Sequence, residues 1–293
     1  MSFFKTIQAL RPVNLLMTVG VMYAVRFGIL DLGFDVPTAH SLAFTLYVFS
    51  VVCAMAFGYL VNDWYDVETD RINKPGQNIF VDGTPAPAYI LMYVTMGISV
   101  ILPVCLLLFF SAPFHLILLN VGACALLYVY ARRGKGTVLW GNLLVAGLSG
   151  LLLLSVPLAC MYETKLTEQA IDVILLYIVF SFFATLVREI VKDAEDAAGD
   201  AAAGLKTLAT QRGVSASRLW AYTLLIFLEI VVLVAPGSYF GYAVFPTIAF
   251  GVLAITGIIV LFKLRKSHTK DDFKKVSRWL KLYMALGIIS MLL

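Results

Sequence analysis

Long apolar stretches alternate with short polar stretches along almost the whole chain. Each apolar stretch has close to the ~20 residues that an α-helix needs to cross the hydrocarbon core of a bilayer. The pattern predicts an all-α, polytopic membrane protein, a bundle of nine transmembrane helices. The predicted spans are residues 12–31, 41–61, 87–110, 113–131, 138–161, 170–188, 216–235, 241–263 and 275–292. Only Ser111-Ala112-Pro113 separates the third span from the fourth, so these two should form a tight hairpin.

The composition supports a membrane location. Apolar residues make up 61 % of the chain and charged residues 14 %, whereas soluble domains have roughly 45–50 % and about 25 %. A soluble globule could not hide so much apolar surface, but a bilayer can act as its solvent. We therefore expect residues 1–293 to form a single transmembrane domain, surrounded by membrane lipids.

Basic residues predict the orientation of the bundle. If the N-terminus is cytoplasmic, nearly all lysines and arginines fall on the cytoplasmic side, and the opposite loops contain only Lys165. Arg26 is the remaining base and lies inside the first span. Because cytoplasmic loops of membrane proteins are enriched in Lys and Arg, we expect a cytoplasmic N-terminus and an external C-terminus.

Acidic residues are concentrated in two segments on the predicted cytoplasmic side. Of the 18 acidic residues, ten lie within 62–82 and 189–200. Both segments contain the pattern D-x-x-D-x-x-x-D, which on an α-helix places all three carboxylates on one face. Four spans separate the copies, which suggests two related halves, about 1–135 and 136–293, facing a common cavity capped by the motif loops. The residues of the pattern are Asp63, Asp66 and Asp70, and then Asp193, Asp196 and Asp200.

Closely spaced carboxylates repel one another, so a partner must offset the repulsion. Mg²⁺ is a suitable partner because it takes carboxylate oxygens and leaves positions open for substrate phosphates. Each segment also has lysines or arginines beside it, and these could bind a diphosphate. For a single acidic run, a solvated helix end is the commoner explanation. The shared spacing of the two runs favours a site.

At these motifs the sequence resembles the UbiA superfamily of intramembrane prenyltransferases. That family pairs N-D-x-x-D-x-x-x-D with a later D-x-x-x-D on nine transmembrane helices, and here the motifs are Asn62-Asp63…Asp66…Asp70 and Asp196…Asp200. Further matching runs are Arg11-Pro12-Val13-Asn14, Gly141-Asn142 and Gly204-Leu205-Lys206-Thr207. The stretch from Arg188 to Asp196 is most similar to the branch that moves a geranylgeranyl group onto geranylgeranylglyceryl phosphate. One departure is Gln77, in a region after Asn73-Lys74-Pro75 where the family usually carries an Arg; this puts one diphosphate contact, and with it full activity, in doubt.

The resemblance implies a Mg²⁺-dependent transfer of a prenyl group from an isoprenoid diphosphate, most simply geranylgeranyl diphosphate, to a lipid or aromatic acceptor. The six aspartates of the two motifs are the catalytic candidates. Asn62, Asp66, Asp196 and Asp200 are the candidate metal ligands. The candidates for substrate binding are Asn14, Arg71, Lys74, Tyr128, Asn142, Arg188, Lys192 and Lys206. Tyr65 and Tyr130 are further possible wall residues.

Other functions stay open at the level of sequence. The acceptor could be aromatic, as in quinone or chlorophyll synthesis. An ion-coupled transporter could use membrane carboxylates to carry cations, and a non-catalytic protein that binds prenyl lipids could have kept the motifs. No feature favours a nucleic-acid partner. Arg26 and Glu229 lie within spans, where a charge is either paired and functional or extends to the membrane interface.

Overall fold

The computed structural model describes residues 3–30, 38–73, 75–81, 86–134, 136–160 and 166–293, and Lys74, a predicted substrate-binding residue, lies outside them. All secondary structure in these described residues is helical, which confirms the all-α prediction. They are α1 (Phe3–Ala9), α2 (Pro12–Ala24), α3 (Thr38–Tyr65), α4 (Val67–Asn73), α5 (Ala86–Phe110), α6 (His115–Val129), α7 (Trp140–Cys160), α8 (Glu168–Ala202), α9 (Leu208–Arg212), α10 (Val214–Phe240), α11 (Val244–Arg265) and α12 (Lys270–Ser290). Short π-helical turns extend α2 and α6, over Val25–Ile29 and Tyr130–Gly134.

Eight helices of the described chain are long and apolar enough to cross a bilayer. They turn large apolar side chains outward, as shown by Phe109, which is 78 % exposed. Such an outer surface suits lipid as the solvent. The ninth predicted span, 275–292, lies in α12, whose first half is polar and which does not meet the same criterion. A count of nine spans is therefore not confirmed.

Six helices form a closed ring around the centre of the bundle. In order, α2 packs against α3, α3 against α6, α6 against α7, α7 against α8, α8 against α12, and α12 returns to α2. Helix α5 packs outside on α3 and α6, while α10 and α11 pack outside on α8 and α12. Residues of all six helices line the space at the centre of the ring.

Helix boundaries follow local sequence signals. The predicted hairpin between α5 and α6 is present, and Ser111 makes the turn with a left-handed backbone (φ 54°). Helix α12 begins with a capping box in which Thr269 and Asp272 each accept a backbone N–H of the other. Hydrogen bonds donated to the Asp272 carboxylate, first from the Thr269 side chain and then from the backbone N–H groups of Thr269 and His268, lower the pKa of this carboxyl.

The two acidic segments differ in shape. The second lies wholly within α8, which runs unbroken from its apolar part to Ala202. The first is bent, because α3 ends at Tyr65 and α4 begins at Val67. The prediction that Asp63, Asp66 and Asp70 share the face of one helix therefore needs correction. Hydrogen bonds of i to i−4 type still cross the bend, from Asp66 N to Asn62 O and from Asp70 N to Asp66 O.

Candidate active site

A cavity of about 280 Å³ fills the ring of six helices. The six motif aspartates are not part of its lining. Its polar end is lined by seven residues from α2, α3, α6 and α8 or their flanks: Arg11, Asn14, Asn62, Tyr130, Arg188, Glu189 and Lys192. Its interior is mostly apolar and includes Val21, Val51, Leu153, Phe180 and Ile288. A cavity with a charged mouth and an apolar interior fits an amphiphilic ligand with an ionic head and a hydrocarbon tail.

At the mouth, the first acidic segment is held by a dense set of hydrogen bonds. The Asn62 amide donates to Asp66 Oδ2 over 2.6 Å. The Asn78 amide donates to the Asp63 carbonyl over 2.6 Å and to Asp70 Oδ2 over 3.1 Å. The side chains of these residues are buried, so the contacts fix the direction in which each carboxylate points.

Arg11 connects the first helix of the ring to this segment. Its guanidinium donates to Asp63 Oδ1 over 2.8 Å and lies over the Tyr59 ring at 4.7 Å from the centroid. Burial alone would lower the pKa of Arg11, but the Asp63 carboxylate and, more weakly, Asp66 outweigh burial and raise the pKa above its ordinary value. The backbone of Arg11 is left-handed (φ 51°), which the tight turn between α1 and α2 requires.

The second acidic segment faces the first across the mouth. Asn142, at the start of α7, donates from its amide to Asp193 Oδ2 over 2.8 Å. Tyr130 lines the cavity and lies within electrostatic reach of Asp66 and of Asp193. Tyr130 therefore marks the place where the two segments approach each other.

Asn73 ties the two segments together directly. Its amide nitrogen donates to the Asp196 carbonyl over 3.1 Å, and its amide oxygen accepts the Gly199 N–H over 3.2 Å. A Cβ at Gly199 would collide with the Asn73 amide, so this contact depends on a glycine. Lys270, the first residue of α12, donates to the Asn73 carbonyl over 3.1 Å and closes the arrangement.

Several predicted substrate-binding residues line the cavity. These are Asn14, Arg188 and Lys192. Arg188 Nη1 also pairs with Glu189 Oε1 at 2.6 Å, and Glu189 lines the cavity too. Asn142 does not line it directly but positions Asp193 beside it.

The structure places three other predicted residues away from the cavity lining. Arg71 is exposed and pairs with the exposed Glu68 at 3.3 Å, and Lys206 lies beyond the end of α8. The Tyr128 hydroxyl accepts a hydrogen bond of 3.2 Å from Tyr65, and neither ring is part of the wall. Tyr130, two residues further, takes the wall position.

The donor chemistry of the mouth fits a hard divalent cation. Asp66, Asp70 and Asp200 are each at most 4 % exposed and supply carboxylate oxygens of the kind that Mg²⁺ prefers. Within the described ranges, no three carboxylate, histidine or cysteine side chains are close enough to form a ready-made metal cage. Mg²⁺ usually takes only one or two carboxylates and completes its shell with water and substrate phosphates, so the residues present fit it.

Two charged residues within spans have partners inside the protein. Arg26 is 2 % exposed, donates to Cys160 Sγ over 3.1 Å and lies over the Phe44 ring at 4.4 Å. Glu229 is 5 % exposed, and Glu229 Oε1 accepts a hydrogen bond from the Tyr283 hydroxyl over 2.6 Å. Both side chains are therefore buried with partners inside the protein and do not extend to the membrane interface.

Sequence reasoning missed four residues that build the mouth: Tyr59, Asn73, Asn78 and Lys281. Asn73 and Asn78 carry a visible signal, because they follow the first motif within a few positions. Tyr59 is one helical turn before Asp63, so the helical period could have placed both residues on the same face. In the sequence Lys281 is one of several bases in the polar first half of the last helix, and no pattern distinguishes it from the others.

The fold and the cavity together define a polytopic helical membrane protein with a chamber for an amphiphilic ligand. A sequence model of the UbiA prenyltransferase family matches residues 15–285, and the chain belongs to that family. The prediction of a prenyltransferase is thereby confirmed. The transporter and the non-catalytic alternatives lose their support, since the chain belongs to a family of prenyltransferases.

The chain is also similar in sequence to named proteins that share one enzyme name. The digeranylgeranylglyceryl phosphate synthase of Saccharolobus solfataricus is 32 % identical over 249 residues, which cover 81 % of this chain and 79 % of that protein. The synthase of the same name from Thermococcus sibiricus is 30 % identical over 291 residues, covering 98 % of this chain and 95 % of that protein.

Solved structures share the fold. A UbiA homologue from Aeropyrum pernix K1 superposes with a TM-score of 0.70 at 17 % identity and full coverage of both chains. A structure from work on digeranylgeranylglyceryl phosphate synthase gives 0.68 at 24 % identity, covering 100 % of this chain and 98 % of that one. A UbiA homologue from Archaeoglobus fulgidus bound to DMAPP and Mg²⁺ gives 0.66 at 18 % identity, with 98 % and 99 % covered.

Proposed function

We propose that this protein transfers a prenyl group from an isoprenoid diphosphate to a glycerophosphate-type lipid acceptor within the membrane, with Mg²⁺ as cofactor. The donor is geranylgeranyl diphosphate and the acceptor geranylgeranylglyceryl phosphate. The observation that carries the proposal is an apolar cavity with bases at its mouth, together with the contact by which Asn73 joins the two acidic segments. The names of the relatives, and the DMAPP and Mg²⁺ bound to the homologue from Archaeoglobus fulgidus, support the same chemistry.

In this proposal Asn62, Asp66, Asp196 and Asp200 hold the cation. When bound, Mg²⁺ supplies positive charge to the departing diphosphate. Arg188 and Lys192 line the mouth and hold the diphosphate oxygens, while Asp63, Asp70 and Asp193 orient neighbouring side chains through the hydrogen bonds described above. Asn14 lies at the same mouth and completes its polar lining.

The apolar interior would perform two tasks. It holds the prenyl chain and excludes water, which would otherwise capture the allylic cation that forms when the C–O bond to diphosphate breaks. Aromatic faces stabilise a cation without attacking it, and Tyr59, Tyr130 and Phe180 line the cavity. The acceptor hydroxyl then forms the new C–O bond and releases its proton.

The deciding experiment measures transfer with purified protein in lipid nanodiscs. Radiolabelled geranylgeranyl diphosphate is supplied with geranylgeranylglyceryl phosphate or with an aromatic quinone precursor, with Mg²⁺ or with EDTA. We expect transfer to the phosphorylated lipid that disappears with EDTA. Transfer to the aromatic acceptor alone would replace the proposed acceptor, and cation flux through liposomes without transfer would contradict the proposal.

Two variants test the acidic segments in the same assay. Asp66→Asn and Asp196→Asn each remove one carboxylate charge, and we expect a loss of at least about 100-fold in kcat/KM because charge stabilisation of this kind contributes about 3 kcal/mol or more. Asp271→Asn is the matched control, since Asp271 is an exposed acid at the start of α12. Equal activity of the motif variants and this control would remove the segments from the mechanism.

A further inference from the structure

Lys281 lies on the last helix of the ring and lines the cavity at its mouth, near Arg11 and Arg188. It is the twelfth residue of α12, about 16 Å along the helix from its first residue. Met284, Ile288 and Met291 follow it on the same cavity-facing side. A base that faces the interior of a membrane protein is costly and is kept for a partner or a function.

The neighbours of Lys281 leave its charge in excess. It lies within electrostatic reach of Arg188 and Arg11, which repel it, and of Glu189 and Glu195, which attract it. Glu195 is also within reach of Lys192, Lys274 and Lys270. Arg188 is already paired with Glu189 at 2.6 Å, and Arg11 with Asp63 at 2.8 Å. Within the described part of the chain, no carboxylate forms an ion pair with the Lys281 ammonium. This wall of the cavity therefore attracts an anion.

Lys281 lies on a helix that carries none of the proposed cation ligands, next to Arg188, one of the two bases proposed to hold the donor diphosphate. The proposed cation site lies between the end of α3 and the end of α8, whereas α12 packs against α2, α8 and α11. Lys281 thus faces the cavity from a different wall than Asn62, which lines it from α3. Two anions held by neighbouring bases, one on α8 and one on α12, would bring a donor carbon and an acceptor oxygen together between them.

We propose that Lys281 binds the phosphate monoester of the lipid acceptor and so selects phosphorylated acceptors over neutral ones. The proposal rests on the function proposed above and assigns one of its substrates to a side chain. The apolar residues that follow Lys281 on α12 would contact the acceptor's hydrocarbon chain. A charge-assisted contact to phosphate makes this recognition strong as well as selective.

Direct binding tests the proposal without any chemistry. Radiolabelled geranylgeranylglyceryl phosphate is titrated onto protein in nanodiscs, without donor and with EDTA, for the natural protein, Lys281→Met, Lys281→Arg and Lys275→Met. Loss of the contact in Lys281→Met should weaken binding about tenfold or more, while Lys281→Arg keeps most of the affinity. Lys275 is exposed on the same helix and serves as the control. Equal affinities for the natural protein and a folded Lys281→Met would overturn the proposal.

Transfer kinetics then identify which of the two substrates Lys281 binds. In Lys281→Met the KM for the phosphorylated acceptor should rise about tenfold or more, while the KM for the donor stays within about twofold. The preference for geranylgeranylglyceryl phosphate over geranylgeranylglycerol should fall by the same factor. A rise in the donor KM instead would assign Lys281 to the diphosphate and overturn the proposal. If the natural protein transfers nothing, the proposed function fails, and the binding titration still decides the role of Lys281.

Discussion

Glu229 shows how a single charged residue is accommodated among apolar helices. Its carboxylate accepts a hydrogen bond from Tyr283, and Gly257 on α11 leaves the space that the carboxylate occupies. A Cβ at residue 257 would collide with Glu229 Oε1. The glycine is thus required by the glutamate, and the three residues join α10, α11 and α12 behind the wall that carries Lys281.

Gly257→Ala should destabilise the bundle, because overpacking a filled interior costs about 1–3 kcal/mol. Thermal unfolding in detergent, followed by tryptophan fluorescence, measures the change. Gly251→Ala on the same helix is the control, since a Cβ there meets open space. We expect Glu229→Ala combined with Gly257→Ala to be less destabilised than the sum of the single variants. Identical melting curves for the two single glycine-to-alanine variants would disprove this account of Glu229.

Single residues also mark the limit of prediction from sequence. A repeated spacing identified the two acidic segments in the sequence, and the structure brings these segments together. The sequence did not predict that Tyr130, and not Tyr128, lines the cavity. The π-helical turn that begins at Tyr130 changes the rotation of the chain at the end of α6, and an ordinary helical period cannot anticipate that change.

Between helices, the site depends on one long-range contact. Asn73 in α4 holds the backbone of α8 at Asp196 and Gly199, although 126 residues separate Asn73 from Gly199. No local pattern encodes a contact between distant residues, so the sequence predicted two acidic segments but not what connects them. The bend at Asp66 was not predictable for the same reason, because it places α4 against α8, which is distant in sequence.

Gly199→Ala should push Asn73 away and move the two acidic segments apart. Because misplacement of reacting groups by about 1 Å can cost about 100-fold in rate, we expect kcat to fall by at least about tenfold while the protein stays folded. Prenyl transfer and circular dichroism measure the two effects. Gly147→Ala, in α7 where a Cβ meets nothing within 4 Å, is the control. Full activity of Gly199→Ala would mean that the contact has no role in alignment.

At the scale of the whole molecule, hydropathy predicted the class of fold and most helix positions. The closed order of the ring was not predictable, since it depends on which helix faces pack together. The related halves, 1–135 and 136–293, stay a prediction. The ninth span stays unconfirmed for a physical reason, since α12 begins with polar residues and carries Lys281 on its cavity side.

The orientation of the molecule is a prediction from its basic loops and can be tested by labelling. With a cytoplasmic N-terminus, Gln77→Cys at the motif end should be hidden from an impermeant thiol reagent on intact cells. Phe245→Cys lies at the start of α11, near the other end, and is an exposed position that the reagent should reach. Labelling of both after permeabilisation is the control. The reverse labelling pattern would invert the orientation.

The way the ring closes has a consequence for biosynthesis. The wall of the chamber is complete only when α12 joins α2, which are the last and the first of its six helices in chain order. While the ribosome is still inserting the earlier helices, the chamber is an open groove facing lipid and lacks one of its cationic side chains. The complete chamber therefore forms only after α12, the last helix to be synthesised, has packed against α2.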